Sequence, residues 1–324
     1  MHKGIVGFGM WCVDTTYKLQ KLPDRGQLEI VNDSFRCVGG GPSNVLTNLE
    51  SLGFNYPKIA MGSIGHDSIA EYIKAHCQKN RIQTNYLISS YKVPTSHTVC
   101  MYEQQKERTF LYYPGANDLI DVKHNKIGSL SFTPKILYIG YLTLLGKLDI
   151  FEKGQTRLTK VLKFANKKKI LTVIDLASSS DPKFKKIVMS AIPYTDYLLM
   201  NEIEAKLLFN KNILNSNQTI NKKIAIKEIK KLLSKGVKQA VVLHCSKESL
   251  YVSRNKILVT KSPVLKKHEL INSVGAGDAF CAGFIFGLHE DWNLNKILIK
   301  AHAAGSAMMK IDASSGGLPN ILKL

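Results

Sequence analysis

Near its C-terminal end the chain reads Asn272-Ser273-Val274-Gly275-Ala276-Gly277-Asp278-Ala279-Phe280. With no side chains at Gly275 and Gly277, consecutive backbone N–H groups can converge on an anion. The run from Ala279 to Leu288 predicts a helix, whose N-terminal end adds partial positive charge at the same place. Inside that nest stands one carboxylate, Asp278. An anion site holding a lone acid has the parts to stabilise a transferring phosphoryl group while a base takes a hydroxyl proton. The plainer reading is a Gly-rich turn capping a helix, with Asp278 an ordinary acid of its first turn. A second stretch, Val38-Gly39-Gly40-Gly41-Pro42-Ser43-Asn44, opens a helical run from Val45 to Leu52 that Gly53 closes. Its glycines let backbone lie against a ligand, and Asn44 offers both a donor and an acceptor, which suits hydroxyl-rich molecules. Upstream, Asp14 follows a buried first strand, Ile5 to Gly9. A carboxylate there can grip vicinal hydroxyls, although a solvated turn acid reads the same way.

These residues need a scaffold that brings distant segments together. Apolar β-type runs at Ile136 to Ile139, Leu171 to Ile174, Tyr197 to Met200 and Ala240 to Leu243 alternate with amphipathic helical stretches. That alternation predicts an α/β fold with a mostly parallel sheet covered on both faces. His268 to Ile271 reads as a β-type lead-in to the Gly-Ala-Gly turn. Asp175 ends one run, where open α/β sheets place ligand contacts, though a plain strand-end acid explains it equally. Two segments break the alternation, about 14–36 and 91–113. They read as short polar-apolar strands with turns such as Leu22-Pro23-Asp24-Arg25-Gly26. No internal repeat or low-complexity linker marks a boundary, so residues 1–324 are expected to form a single domain.

Together the Gly-rich stretches and Asp14 resemble the ribokinase-like (PfkB) carbohydrate kinase family, nearly from end to end. Gly39 to Asn44 matches its N-terminal Gly-Gly motif, and Ser273 to Asp278 falls on its C-terminal Asp-Thr-x-Gly-Ala-Gly-Asp motif. Gly62-Ser63-Ile64-Gly65-His66-Asp67 is similar to its Gly-x-x-Gly-x-Asp segment, and Asn201-Glu202-Ile203-Glu204 to its Asn-Glu-x-Glu motif. Arg108-Thr109-Phe110 and Pro114-Gly115-Ala116-Asn117 resemble the stretch after the family's lid hairpin. The resemblance implies a three-layer ribokinase-like sandwich with a small β-lid, contributed by about 14–36 and 91–113. It implies transfer of the γ-phosphate of Mg-ATP to a sugar hydroxyl, of ribose or ketohexose class. Asp278 would be the base, with Gly275, Ala276 and Gly277 as the anion hole. Asp14, Gly40, Gly41, Asn44 and Asn117 would hold the acceptor. Asn201, His244, Ser246, Ser249, Gly277 and His302 would meet ATP. Glu204 would organise Mg2+, largely through water. A lone helical His such as His302 is also often a satisfied structural residue. The helix N-terminus should favour ionised Asp278 and make it a weak base, which suffices where positioning outweighs base strength.

The chain departs from the family pattern in two places. Asn272-Ser273 replaces the usual Asp-Thr pair, removing a charge from the region of a monovalent cation (K+) and weakening the expectation that one activates. Many members carry Thr-x-Gly-x-x-Gly where this chain has His244-Cys245-Ser246-Lys247-Glu248-Ser249. Altered nucleotide affinity is one consequence. A catalytically weak sugar- or nucleotide-binding homologue is a second reading. A third is a nucleoside kinase of adenosine or pseudouridine type, for which Trp11 or Phe110 would stack a base.

The formal charge of +20 comes from 45 Lys and Arg against 25 Asp and Glu. The lysines are spread along helical stretches such as Lys167-Lys168-Lys169 and Lys230-Lys231, so solvated faces explain them and no nucleic-acid partner is expected. The positive field can still assist capture of anionic ATP. Cys12, Cys37, Cys77, Cys100, Cys245 and Cys281 form no Cys-x-x-Cys pair and read as free thiols of a reducing compartment. No His-x-x-x-His or P-loop pattern occurs. The apolar stretch Ile136 to Leu145 is too short to span a bilayer, and Met1 to Cys12, interrupted by glycines, reads as a strand rather than a signal peptide. The expected setting is cytoplasmic, with a homodimer through the β-lid as a possible assembly.

Overall fold

Alternation within the apolar runs decides the layering. On β1 (Ile5–Gly9), Val6 and Phe8 enter one hydrophobic core and Ile5 the other, as a strand buried on both faces requires. The computed structural model describes residues 2–103, 108–271 and 273–324. After β1 come β2 (Cys12–Leu19), β3 (Val31–Gly39), α1 (Gly41–Ser51), β4 (Lys58–Gly65), α2 (Ser68–Lys79) and β5 (Ile82–Ser90). The middle of the chain gives β6 (His97–Glu103), β7 (Arg108–Tyr113), β8 (Ile136–Leu142), a short ribbon β9 (Phe151–Glu152) and β10 (Gln155–Thr156), and α3 (Leu158–Lys167). Then follow β11 (Leu171–Leu176), α4 (Phe184–Ala191), β12 (Tyr197–Asn201), α5 (Glu202–Phe209) and α6 (Lys222–Ser234). Last are β13 (Ala240–His244), β14 (Glu248–Ser253), β15 (Ile257–Lys261), α7 (Ala276–His289) and α8 (Leu294–Met308).

The main sheet has the order β15-β14-β13-β12-β11-β8-β1-β4-β5. It is parallel from β13 to β5, with β14 and β15 added antiparallel at one edge. Helices α3 to α6 share one core and α1, α2, α7 and α8 the other, which gives three layers. Chain order reverses at β1, between β8 and β4, so a crevice opens beyond the carboxyl ends of the strands there.

A separate four-stranded sheet has the order β3-β2-β6-β7. It uses the two segments that broke the alternation, with strands at 12–39 and 97–113. Along β2, Asp14, Thr16 and Lys18 share one face by the period of two, opposite Cys37, Phe35 and Asp33 on β3. Phe110, Leu111 and Val31 of this sheet are exposed.

One expected element differs. His268 to Ile271 is not a strand; Lys267–Glu269 forms a 3-10 turn. Among the described residues no strand pairs with it. The Glu269 carboxylate instead accepts from Lys266 N–H at 2.9 Å, while Ile271 N–H donates to the Met309 carbonyl at 2.9 Å.

Candidate active site

Gly275 caps α7 with φ 78°, a left-handed conformation, and a Cβ there would collide with the Ser314 carbonyl oxygen. This turn aims the first amides of α7 and places Asp278, 7% exposed, in its first turn. From across the crevice, Asn44 Nδ2 donates to Asp278 Oδ2 at 2.9 Å. The Tyr141 hydroxyl donates to Oδ2 at 2.9 Å and reaches Oδ1 at 3.2 Å. Burial pushes the Asp278 carboxyl up to about 6, against the pull of these hydrogen bonds toward the ionised form. Burial thus outweighs the two hydrogen bonds, and the carboxyl holds its proton more tightly than the helix N-terminus alone would lead one to expect.

Asn44 gets its position from α1, whose first residues are all buried. Gly41 permits this approach: the Tyr141 ring and Tyr138 hydroxyl occupy the space around it. The Asn44 side-chain carbonyl, Oδ1, is buried with no hydrogen-bond partner, an acceptor left open beside Asp278. Gly40 lies one residue before α1, packed against the Met10 carbonyl.

Strand ends supply the rest. Tyr141 of β8, Asp175 of β11, Asn201 of β12 and His244 of β13 line a cavity of about 350 Å³ with Glu204, Gly277 and Asp278. Asn201 and Glu204 form a capping box at the start of α5. Asn201 Oδ1 accepts from the N–H groups of Ile203 and Glu204 at 2.8 and 2.9 Å, and Glu204 Oε2 accepts from Asn201 N–H at 2.8 Å. Asn201 Nδ2 and the Ser178 hydroxyl both donate to Glu204 Oε1. Burial raises Glu204 and Asp175 above the ordinary carboxylate range, and negative neighbours push in the same direction. Among the described residues no lysine or arginine lines this cavity. Nor do three acidic, histidine or cysteine side chains converge closely enough to ligate a metal directly.

Asp14 lies on the small sheet, lining a narrow cavity of about 40 Å³ with Phe35, Phe110, Cys37 and Ser314. Burial raises its carboxyl, while Thr98 and Cys12 hydrogen-bond to it. Beyond it opens a cavity of about 390 Å³ that shares Thr16, Phe35 and Asp312.

Other expected residues are placed differently. Asn117 is buried, and its amide exchanges hydrogen bonds with the Trp11 backbone (Trp11 N–H to Oδ1 and Nδ2 to Trp11 O, both 3.1 Å). It also donates to the Tyr112 hydroxyl. It ties β7 and the end of β1 together. His302 and Ser249 are buried and bond to each other at 2.9 Å, and His302 packs edge-on against Phe280. His244 stacks on Phe280 with ring centroids 4.7 Å apart, and burial lowers both histidines to about 4, hence neutral. Ser246 is exposed on another cavity, of about 580 Å³, together with Ser306 and Leu265. Trp11 is wholly buried, its indole donating to the Met61 carbonyl, so it cannot stack on a ligand. Asn272 lies outside the described residues. Tyr141, Ser178 and Ser306 were not singled out from sequence, since nothing but their position at strand ends or on α8 marks them.

A family model described as pfkB family carbohydrate kinase matches residues 5–320. The adenosine kinase of Schizosaccharomyces pombe is 22% identical over 265 residues, 80% of this chain and 75% of that protein. The ribokinase of Bacillus subtilis is 24% identical over 324 residues, covering 98% and 96% of the two chains. Among solved structures, the ribokinase of Arabidopsis thaliana complexed with ribose and ATP aligns with a TM-score of 0.78 at 19% identity, covering 100% of this chain and 98% of that one. With the family match running from the first strand to beyond α8, and the three-layer sandwich shared, the chain belongs to the pfkB family of carbohydrate kinases, phosphotransferases acting on hydroxyl groups.

Proposed function

We propose that this chain transfers the γ-phosphoryl group of ATP to a sugar hydroxyl, with Asp278 as base. One observation carries the reading: a buried carboxyl at the start of α7, raised to about 6, stands beside the unpartnered Asn44 Oδ1. An acceptor hydroxyl placed between them would share its proton with Asp278 while Asn44 accepts from a neighbouring hydroxyl. The acceptor oxygen bonds to the γ-phosphorus, the bond from that phosphorus to the β,γ-bridging oxygen breaks, and the hydroxyl proton passes to Asp278. A carboxyl near 6 is a better match to neutral pH than an ordinary one. Amides of Gly275, Ala276 and Gly277 would stabilise the transferring group. Asp14 and the backbone at Gly40 and Gly41 would hold the far side of the sugar.

ATP's phosphates would lie in the 350 Å³ cavity and its base in the 580 Å³ one, where Ser246 stands on the wall. The donor set fits Mg2+: Glu204 and Asp175 are hard oxygen ligands in a cavity lined by no lysine or arginine among the described residues, and they would hold the ion through water. Bound there, Mg2+ would neutralise the polyphosphate. The small sheet would act as a lid over the acceptor, excluding water from the transfer and offering its exposed face for pairing with a second copy.

A nucleoside acceptor is the second reading, favoured by Phe35 and Phe110 beside Asp14 and the larger cavity beyond them. ADP release from Mg-ATP, measured over pentoses, hexoses, ketoses and nucleosides, tests both. Acceptor-dependent release that Asp278→Ala abolishes supports the kinase, and the responding compound chooses between the readings. Silence across the panel, with ATP binding intact, would point to a binding protein and overturn it.

A further inference from the structure

Tyr141 has φ 62° and Thr143 has φ 88°, so two residues with side chains hold left-handed backbone at the end of β8. An aromatic and a β-branched residue adopt that conformation only when their surroundings impose it, and such strain concentrates at functional sites. Here it turns the Tyr141 phenol toward α7. The ring lies against Gly41, and the hydroxyl reaches both oxygens of Asp278, at 2.9 and 3.2 Å. Burial holds the phenol far above its ordinary pKa, so it remains a proton donor to the base. The same side chain lines the cavity with Gly277, Asn201 and Glu204.

A base next to bound ATP faces a competitor to any acceptor. Water can attack the γ-phosphorus by the same displacement: its oxygen bonds to phosphorus, the bond to the bridging oxygen breaks, and its proton goes to Asp278. The products are ADP and phosphate, with no acceptor modified. We propose that Tyr141 gates the base: in the empty site its hydroxyl covers the proton-accepting edge of Asp278, and an acceptor hydroxyl displaces it on binding. Asn44, bonded to Oδ2 by its Nδ2, keeps the carboxylate in place during the exchange, and its free Oδ1 favours a polyhydroxyl acceptor over a lone water. This gate rests on the reading of Asp278 as base.

Tyr141→Phe keeps the ring against Gly41 and removes only the hydroxyl. The experiment measures phosphate release from Mg-ATP with no acceptor, together with intact protein mass, for wild type, Tyr141→Phe, Asp278→Asn and the double variant. Calorimetric ATP binding confirms that each is folded. Expected is acceptor-free hydrolysis on the order of tenfold faster in Tyr141→Phe, within what a positioned base supplies, and its loss in the double variant. Tyr141→Leu, which also keeps an apolar side chain beside Gly41, must show the same rise. A structural role alone would lower hydrolysis rather than raise it. Unchanged or slower hydrolysis in both Tyr141 variants, with acceptor turnover still lost in Asp278→Asn, overturns the gate and leaves the base standing. A rise that survives Asp278→Asn overturns both. Phosphate found on Tyr141 overturns the gate as well, because the phenol would then be an acceptor itself.

Discussion

Asp278→Asn should make the protein more stable as it makes it inactive. The carboxyl ionises near 3.8 in an unfolded chain and near 6 in the fold. At ~1.4 kcal/mol per pH unit, the difference corresponds to ~3 kcal/mol that the folded state forgoes once Asp278 is ionised. The direction follows from which state binds the proton more tightly. Below about pH 4 both states are protonated and the cost is absent. It grows between pH 4 and 6 and is present in full above the folded value. Asparagine carries no charge and therefore no such cost. Its amide oxygen, in the place of Oδ2, can accept from both Asn44 Nδ2 and the Tyr141 hydroxyl, which meet at that oxygen in the wild type. Removing the charge also relieves Asp175 and Glu204, both of which Asp278 pushes up. The expected result is a variant more stable by up to ~3 kcal/mol at pH 8 and level with wild type near pH 4. Turnover should fall by about 10²–10⁴, the share a general base supplies. Urea unfolding of both proteins from pH 4 to 8 measures the first, and ADP release the second. Parallel stability curves for the two proteins, or a variant weaker at pH 8, would refute the claim that this carboxyl is held ionised at a cost to the fold.

Other consequences are open to direct measurement. In wild type, kcat/KM should fall roughly tenfold per unit below pH 6 as Asp278 protonates. Asn44→Ala removes a donor to the carboxylate and should move that midpoint upward; an unmoved midpoint would assign the titration to Asp175 or Glu204 instead, since the neutral His244 near 4 titrates too low. Gly275→Ala should destabilise the protein strongly, because the new Cβ meets the Ser314 carbonyl in left-handed backbone. A Cβ at Gly277 meets only His244 Cε1 at 3.6 Å, so Gly277→Ala should fold normally and affect only handling of ATP, as unfolding midpoints and the KM for ATP would reveal. Asn117→Ala leaves the Trp11 N–H and carbonyl buried without partners and should cost about 2–4 kcal/mol in urea unfolding. A weakened acceptor KM with stability unchanged would instead make Asn117 a binding residue.

The layered fold was readable because it is written in local patterns. Strand runs at Ile136, Leu171, Tyr197 and Ala240 are each interrupted by helix-length polar-apolar stretches, and all appear in the main sheet. Asp278 and Asn44, which the fold brings into hydrogen-bond contact, stood out in the sequence for a related reason: their motifs combine a special backbone with a reactive side chain in a few consecutive residues. Tyr141 has no such signature. Its place against Asp278 goes with a left-handed φ, and an aromatic residue gives no hint that the fold will force one. Asn117, His302 and Ser249 show how little a side chain's type says of its surroundings. Their side chains suit ligands, but the chain uses them to satisfy buried polar groups, a pairing visible only once β7, α8 and β14 are in contact. The β-type lead-in at His268 failed because Leu270 and Ile271 are apolar yet exposed, with no partner strand.

The charge distribution adds a constraint that composition conceals. A chain with a formal charge of +20 would be expected to meet ATP with lysine. Instead the cavity beside Asp278 is lined by Asp175 and Glu204, with neutral His244 and no cationic side chain among the described residues. The surface field can therefore raise the rate of encounter with a polyanion, but it does not neutralise one in place. On the proposed mechanism, local neutralisation would be left to the amides at the start of α7 and to the cation that accompanies the nucleotide. On that mechanism, the arrangement would also let Asp278 act near neutral pH. A lysine at this spot would hold it ionised and weakly basic, whereas burial keeps its proton affinity high. The basic exterior and the acidic cavity would, on the proposed mechanism, serve different steps, capture and proton transfer, and moving a lysine inward, as in Ser178→Lys, should tighten ATP while slowing turnover.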